Sequence, residues 1–214
     1  MEELDKFLDN TKNFNLCQRN WDYNKTIEHN TIKKLIDIAY ATPSKQSLQN
    51  FTLVAITDRN IIEHLENASV SDEDWPDAIK QRFEQGQKQN PQVNANVLFV
   101  YLYKREDEDL KLERQFNNNN DKTTVDIEIG ISSGALGLAA NQIGLRTGFC
   151  RCIDTDMIDS DIFPYNTNDI VMFLGVGYPL HTEEFPKLPK HTIHNNTDFY
   201  NKSYPKGSYD YNII

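Results

Sequence analysis

Between Asn30 and Tyr40 the apolar residues Ile32, Leu35, Ile36 and Ala39 fall at i, i+3, i+4 and i+7, the spacing of a helix with one buried face. Asn30 is placed to cap it. Pro43 disfavours helical backbone at Thr42, so the helix should stop there. Phe51 to Thr57, FTLVAIT, reads as a buried strand. Between the two lies a run of hydroxyls and amides, Pro43 to Gln49, where two or three turn residues would do.

The same patterning predicts a first helix over 2–13 and two more over 58–68 and 71–87. The last of these is acidic at its start, with Trp75-Pro76 in its first turn. Asn96 to Tyr103, NVLFVYLY, is the most apolar strand candidate. A long helix is expected over 123–144, and strands over Gly148 to Ile153 and Ile170 to Val176. Residues 104–122 are dense in charge and then polar, a lid with a short helix or a solvated loop. The tail, 195–214, keeps aromatics without a period of its own and is expected to cover something else, such as a second subunit. No repeat or linker divides the chain, so residues 1–214 read as a single domain. The irregular mixture of elements favours α+β, with a central mixed or antiparallel sheet flanked by helices.

The long helix carries Gly130, Gly134 and Gly137 in its interior. Each costs about 1 kcal/mol relative to Ala, roughly 2–3 kcal/mol together. Positions 130, 134, 137 and 141 share one face, and a small-residue face admits another backbone closely. Ile131, Leu136, Leu138 and Ile143 spread around the rest, so the helix should be central and covered on most sides. Helix packing within the chain explains such a face, and so does a dimer axis.

At 214 residues, with a net charge of −10 and a pI near 4.9, the chain suits neither nucleic-acid phosphates nor an anionic membrane as main partner. No stretch approaches the ~20 apolar residues of a membrane span. Three cysteines, Cys17, Cys150 and Cys152, are sparse and odd in number, which points to a reducing compartment, the cytoplasm, without a disulfide framework.

Candidate chemistry is thin when motifs are taken singly. GVGYP (175–179) lacks the third glycine of a dinucleotide fingerprint and reads as a strand-ending turn. Cys150 and Cys152 have no second pair to make a metal site and read as free thiols on one strand face. His191 and His194 have no partner cluster. No nucleophile elbow, phosphate loop or zinc-binding His-Glu-x-x-His occurs. What remains is scattered: Arg19, the polar loop 43–49, Lys187 and Lys190. Together they supply cations, hydroxyls and amides that could converge on a polar ligand bearing a phosphate.

The order of these motifs resembles the nitroreductase family of flavin enzymes. QRNWDYNKTIEHNTIKKLIDIAYATPSKQSLQNFTLVAITD is similar to the family's opening, with its basic motif, amphipathic helix, Ala-Pro-Ser loop and strand. GALGLAANQIGLRTGFCRCID resembles the central helix and the turn after it, MFLGVGYP the late strand, and KLPKHTI the basic closing motif. The resemblance covers most of residues 15–193 in order. It implies a homodimer with FMN at the subunit interface and a C-terminal extension crossing to the partner. NAD(P)H would be the co-substrate, and a small molecule such as a nitroaromatic or quinone the electron acceptor.

Carried over by position, Arg19 matches the cation at the flavin's pyrimidine edge, and Pro43, Ser44 and Ser47 the loop touching the flavin. Gln87 and Asn90 fall near an amide-and-cation position beside the pyrimidine ring. Cys150, Arg151 and Cys152 match the segment passing the N5 side, and Lys190 and Lys187 the phosphate cations. Where the family has Arg-Arg-Ser this chain has Asn15, Leu16 and Cys17, which removes a cation and a hydroxyl and implies weaker FMN binding or an altered ligand. No side chain is expected to act as nucleophile or general base. The same fold also hosts dehalogenases, flavin-fragmenting enzymes and azoline oxidases, and a flavin-binding dimer without turnover is a third reading.

Overall fold

The computed structural model describes residues 2–14, 17–68, 90–104, 122–152 and 154–180. The expected helix over 71–87, all but the ends of the 104–122 segment and the 195–214 tail lie outside the described residues. So do Gln87, Lys187, Lys190, His191 and His194. Along the chain the elements run α1 (Glu2–Phe14), α2 (His29–Tyr40), β1 (Phe51–Ile56), α3 (Arg59–Asn67), β2 (Val97–Tyr103), α4 (Lys122–Gln142), β3 (Arg146–Cys150) and β4 (Ile170–Gly177).

The four strands form one sheet in the order β1-β2-β4-β3, with every neighbouring pair antiparallel. The fold is α+β, an open antiparallel sheet with helices on its faces. Because successive side chains of a strand point to opposite faces, the apolar run of β2 fills both layers. Val97, Phe99 and Tyr101 join Ile32, Leu35, Ile129 and Leu136 of α2 and α4. Leu98, Val100 and Leu102 join Ile62 and Leu65 of α3 together with Phe163. That double burial explains why β2 is apolar without alternation.

Four local expectations change. The N-cap of α2 is Glu28 in extended backbone, its carbonyl accepting from Thr31 and Ile32, so Asn30 lies inside the helix rather than capping it. α4 ends at Gln142 because Gly144 takes a left-handed φ of 84°, which turns the chain so that β3 starts at Arg146 and ends at Cys150. Gly175 and Gly177 belong to β4 rather than to a turn. A Cβ on Gly175 would collide with the Gln92 carbonyl oxygen, and one on Gly177 with the side chains of Asn96 and Trp21. These glycines answer to the close passage of residues 92–96, not to chain reversal. The small-residue stripe of α4 is also only half covered: Gly137 and Asn141 are buried, whereas Gly130 is exposed and a Cβ on Gly130 or Gly134 would meet nothing within 4 Å. Ile127 and Ile131 beside them are exposed too.

Candidate functional site

Pairing of Phe51 with Tyr103 and of Cys150 with Phe173 puts the start of β1, the end of β2, the end of β3 and the start of β4 at one end of the sheet. The polar loop enters there at the β1 edge, and Arg151 and Cys152 leave there from β3. With β2 and β4 between them, the two edges stand about 14 Å apart at the usual strand spacing. The expected site residues therefore fall into two groups.

The first group is the loop. Lys45–Ser47 form a single 3-10 turn, closed by the Ser47 and Leu48 N–H groups donating to the Ser44 and Lys45 carbonyls. Ser44 Oγ accepts from the Gln49 N–H at 3.1 Å. Pro43 and Ser47 are exposed and Ser44 half-buried. Ser47 and Gln49 hold positive φ angles of 58° and 42°, a backbone that non-glycine residues adopt at a cost of about 1–3 kcal/mol each. The loop is fixed from below by α4, whose Glu128 carboxylate accepts from the Lys45 N–H at 2.8 Å and the Asn50 N–H at 3.1 Å.

The second group surrounds β3. The Gln18 N–H donates to the Thr147 carbonyl at 2.8 Å, so residues 17–18 run along the outer side of the strand. The Cys17 thiol lies 3.8 Å from the Phe149 carbonyl oxygen, and Arg19 Nη1 turns back to the Cys17 carbonyl at 2.9 Å. Burial raises the Cys17 pKa, and the Arg19 charge offsets part of that rise. Asn90 Nδ2 donates to the Cys152 carbonyl at 2.8 Å, and Gln92 Nε2 donates to Asn90 Oδ1 at 3.3 Å. Cys150 is buried, with its pKa pushed up to about 12 mainly by that burial, while Cys152 is exposed. The two thiols are free but differ in surroundings, since Cys152 lies beyond the strand. Arg151 is exposed, and its charge opposes the rise that burial and the Asp126 carboxylate impose on Tyr103 at the end of β2.

Thus Cys17, Arg19, Asn90, Cys150 and Cys152 come together, and Pro43, Ser44 and Ser47 come together elsewhere, while the charge of Arg151 is felt at Tyr103. Two contributors escaped the sequence reading. Gln92 could have been found only through the missing Cβ atoms of Gly148 and Gly175, which its chain crosses. Glu128 left a faint signal, a carboxylate set between Ile127 and Ile129, after which the helix carries no further charge. Among the described residues no cluster of ligating side chains could hold a metal ion. None of the described helices is long and apolar enough to cross a membrane.

No curated protein matches this chain. Solved structures do resemble it. A nitroreductase-like protein from Streptococcus mutans superposes with a TM-score of 0.62 at 16% identity, covering 84% of this chain and 91% of that one. A nitroreductase-type protein from Exiguobacterium sibiricum, solved in complex with FMN, gives 0.61 at 18% identity over 82% and 89%. A protein from Staphylococcus epidermidis described as an NAD(P)H:FMN oxidoreductase gives 0.60 at 15% identity over 82% and 87%. At such identities these likenesses carry the fold. A family model, that of the Nitroreductase family, matches residues 17–178, most of the chain and both halves of the candidate site. The chain belongs to the nitroreductase family.

Proposed function

We propose that this protein is an FMN-dependent oxidoreductase, working as a homodimer, that uses NAD(P)H to reduce nitroaromatic or quinone-type acceptors. The observation that carries the reading is the splitting of the site. A ligand with one planar ring system cannot bridge two edges about 14 Å apart within one chain. A two-fold dimer would set the loop of one protomer against the β3 edge of its partner, completing two equal sites. The half-covered α4 stripe, with Ile127, Ile131, Gly130 and Gly134 open, offers a seam for that arrangement.

The donor set fits such a cofactor. Arg19 supplies a cation, Asn90 an amide held in place by the Cys152 carbonyl, and Ser44 and Ser47 hydroxyls on a rigid loop. Lys187 and Lys190 are proposed for the phosphate. Bound FMN would supply the redox chemistry, accepting a hydride from NAD(P)H at N5 and passing two electrons to the acceptor. Arg19 would stabilise negative charge at the pyrimidine edge, and the loop would hold the ring plane and exclude water. A second reading, a flavin-binding dimer without turnover, is favoured by Cys17. It stands where a hydroxyl is usual in the family, and its thiol is turned onto the Phe149 carbonyl.

The absorbance spectrum of the purified protein tests both. Yellow protein bleached by NADPH or NADH and recoloured by a quinone supports the reductase, and yellow protein inert to both supports the binder. Colourless protein that takes up no FMN removes the flavin reading altogether.

A further inference from the structure

We propose that Glu128 is a positioning residue, a carboxylate clamp that sets the shape of the 44–50 loop and through it the affinity of the site for FMN, the latter resting on the flavin reading above. Glu128 is only 3% exposed and sits on α4 between the two core-facing helical turns that carry Val125 and Ser132. Its two oxygens take four contacts from the loop. Oε1 accepts from the Lys45 N–H at 2.8 Å and from Asn50 Nδ2 at 3.2 Å. Oε2 accepts from the Asn50 N–H at 3.1 Å and from Asn50 Nδ2 at 3.3 Å. Among the described residues it forms no ion pair. A buried carboxylate without a cation is costly unless donors surround it. Here all the donors come from the two ends of a single turn.

The position of the grip is what gives it a role beyond filling the core. Lys45 opens the turn and Asn50 closes it, and the two residues with left-handed backbone, Ser47 and Gln49, lie between. Strained residues persist only where the surroundings over-determine them. Gripping both ends through backbone N–H groups does that, whatever side chain Lys45 carries. The grip also decides which groups a ligand meets. The Lys45 and Asn50 N–H groups are spent on Glu128, and those of Ser47, Leu48 and Gln49 inside the loop. That leaves the Ser44 and Ser47 hydroxyls among the groups through which this loop can meet a cofactor.

Glu128→Gln keeps the volume of the side chain but replaces one acceptor oxygen with an NH2 that must face a backbone donor. In the full-length flavin-free protein, amide exchange at Lys45 and Asn50 is expected to speed up about tenfold or more, while β2 keeps its protection. The FMN dissociation constant is expected to rise about 10- to 100-fold. Lys45→Pro is the second variant. It removes one donor without touching the carboxylate, and Ser44 already has the extended backbone that a following proline requires. It is expected to weaken FMN binding to a smaller degree, and it decides the question if the Gln variant does not fold. Wild-type exchange at Lys45 and Asn50 in Glu128→Gln, or wild-type FMN affinity in both variants, overturns the clamp. If the wild-type protein itself binds no FMN, the flavin reading falls, and the exchange rates alone decide whether Glu128 shapes the loop.

Discussion

The indole of Trp21 lies against the backbone of Gly177, with Cε3 2.8 Å from where a Cβ would stand, while its Nε1 donates to the Pro91 carbonyl at 2.8 Å. The N-terminal segment, the end of β4 and the loop entering β2 are thereby fixed at one point. Asn96 cannot yield, because its Nδ2 bonds the Asp22 and Lys25 carbonyls and its Oδ1 accepts from the Tyr178 N–H. Gly177→Ala must displace both side chains, because its Cβ would stand too close to each. The substitution is expected to cost about 2–3 kcal/mol, near the top of the range for overpacking. Thermal unfolding should show it as a fall of roughly 4–12 °C for a chain of this length.

Ser132 gives an asymmetric pair of substitutions. Its Oγ donates to the Ala39 carbonyl at 2.9 Å, which leaves it to accept from the Tyr101 hydroxyl at 3.2 Å, with all three residues buried. Ser132→Ala orphans a buried hydroxyl and leaves the Ala39 carbonyl without this partner, and is expected to cost about 2 kcal/mol or more. Tyr101→Phe leaves the Ser132–Ala39 bond intact and should cost about 1 kcal/mol or less. Equal losses in urea titrations would refute this ordering of donors.

Stability should fall in alkali with Cys150 as one cause. Burial holds its pKa at about 12 against an ordinary value of 9.0, so between those limits the unfolded chain has lost a proton that the folded chain keeps. Stability then decreases with rising pH, since the folded state binds more protons. The contribution is fully present below pH 9 and is lost toward pH 12. Cys17 and Tyr101, both raised by burial, act in the same direction. Cys150→Ala should therefore flatten the denaturant midpoint against pH in part, most clearly between pH 9 and 10, below the ordinary tyrosine range. Unchanged slopes would exclude Cys150 as a contributor.

What could be read beforehand follows the range of the physics. α2 and β2 are written locally, one in the spacing of Ile32, Leu35 and Ala39 and the other in an unbroken apolar run, and the pattern and the structure agree on their bounds to within a residue. Gly175 and Gly177 suggested a turn because glycine usually marks one. Their real cause is a chain passing from some 80 residues away, which no local pattern records. β3 begins on Arg146 and Thr147, polar residues that hid its start. Motif order alone assigns Arg19, Ser44 and Cys150 to one ligand. Only the strand order, with β2 and β4 between β1 and β3, separates them into two groups at opposite edges of the sheet.

That separation leads to the most direct test of the assembly. In an isolated chain Gly134→Leu should be harmless or helpful: a Cβ there has nothing within 4 Å, and replacing a mid-helix glycine stabilises by about 0.5–1 kcal/mol. In a dimer seated on the α4 stripe, the same side chain would hold the partner's backbone away. The expected outcome is a protein that sediments as a single chain, melts at a temperature independent of its concentration and takes up FMN poorly, because each half-site has lost its complement. Retention of the dimer with a raised melting temperature would place the seam elsewhere on the molecule. The exposed Leu4, Phe7 and Leu8 face of α1 would then be the next surface to substitute.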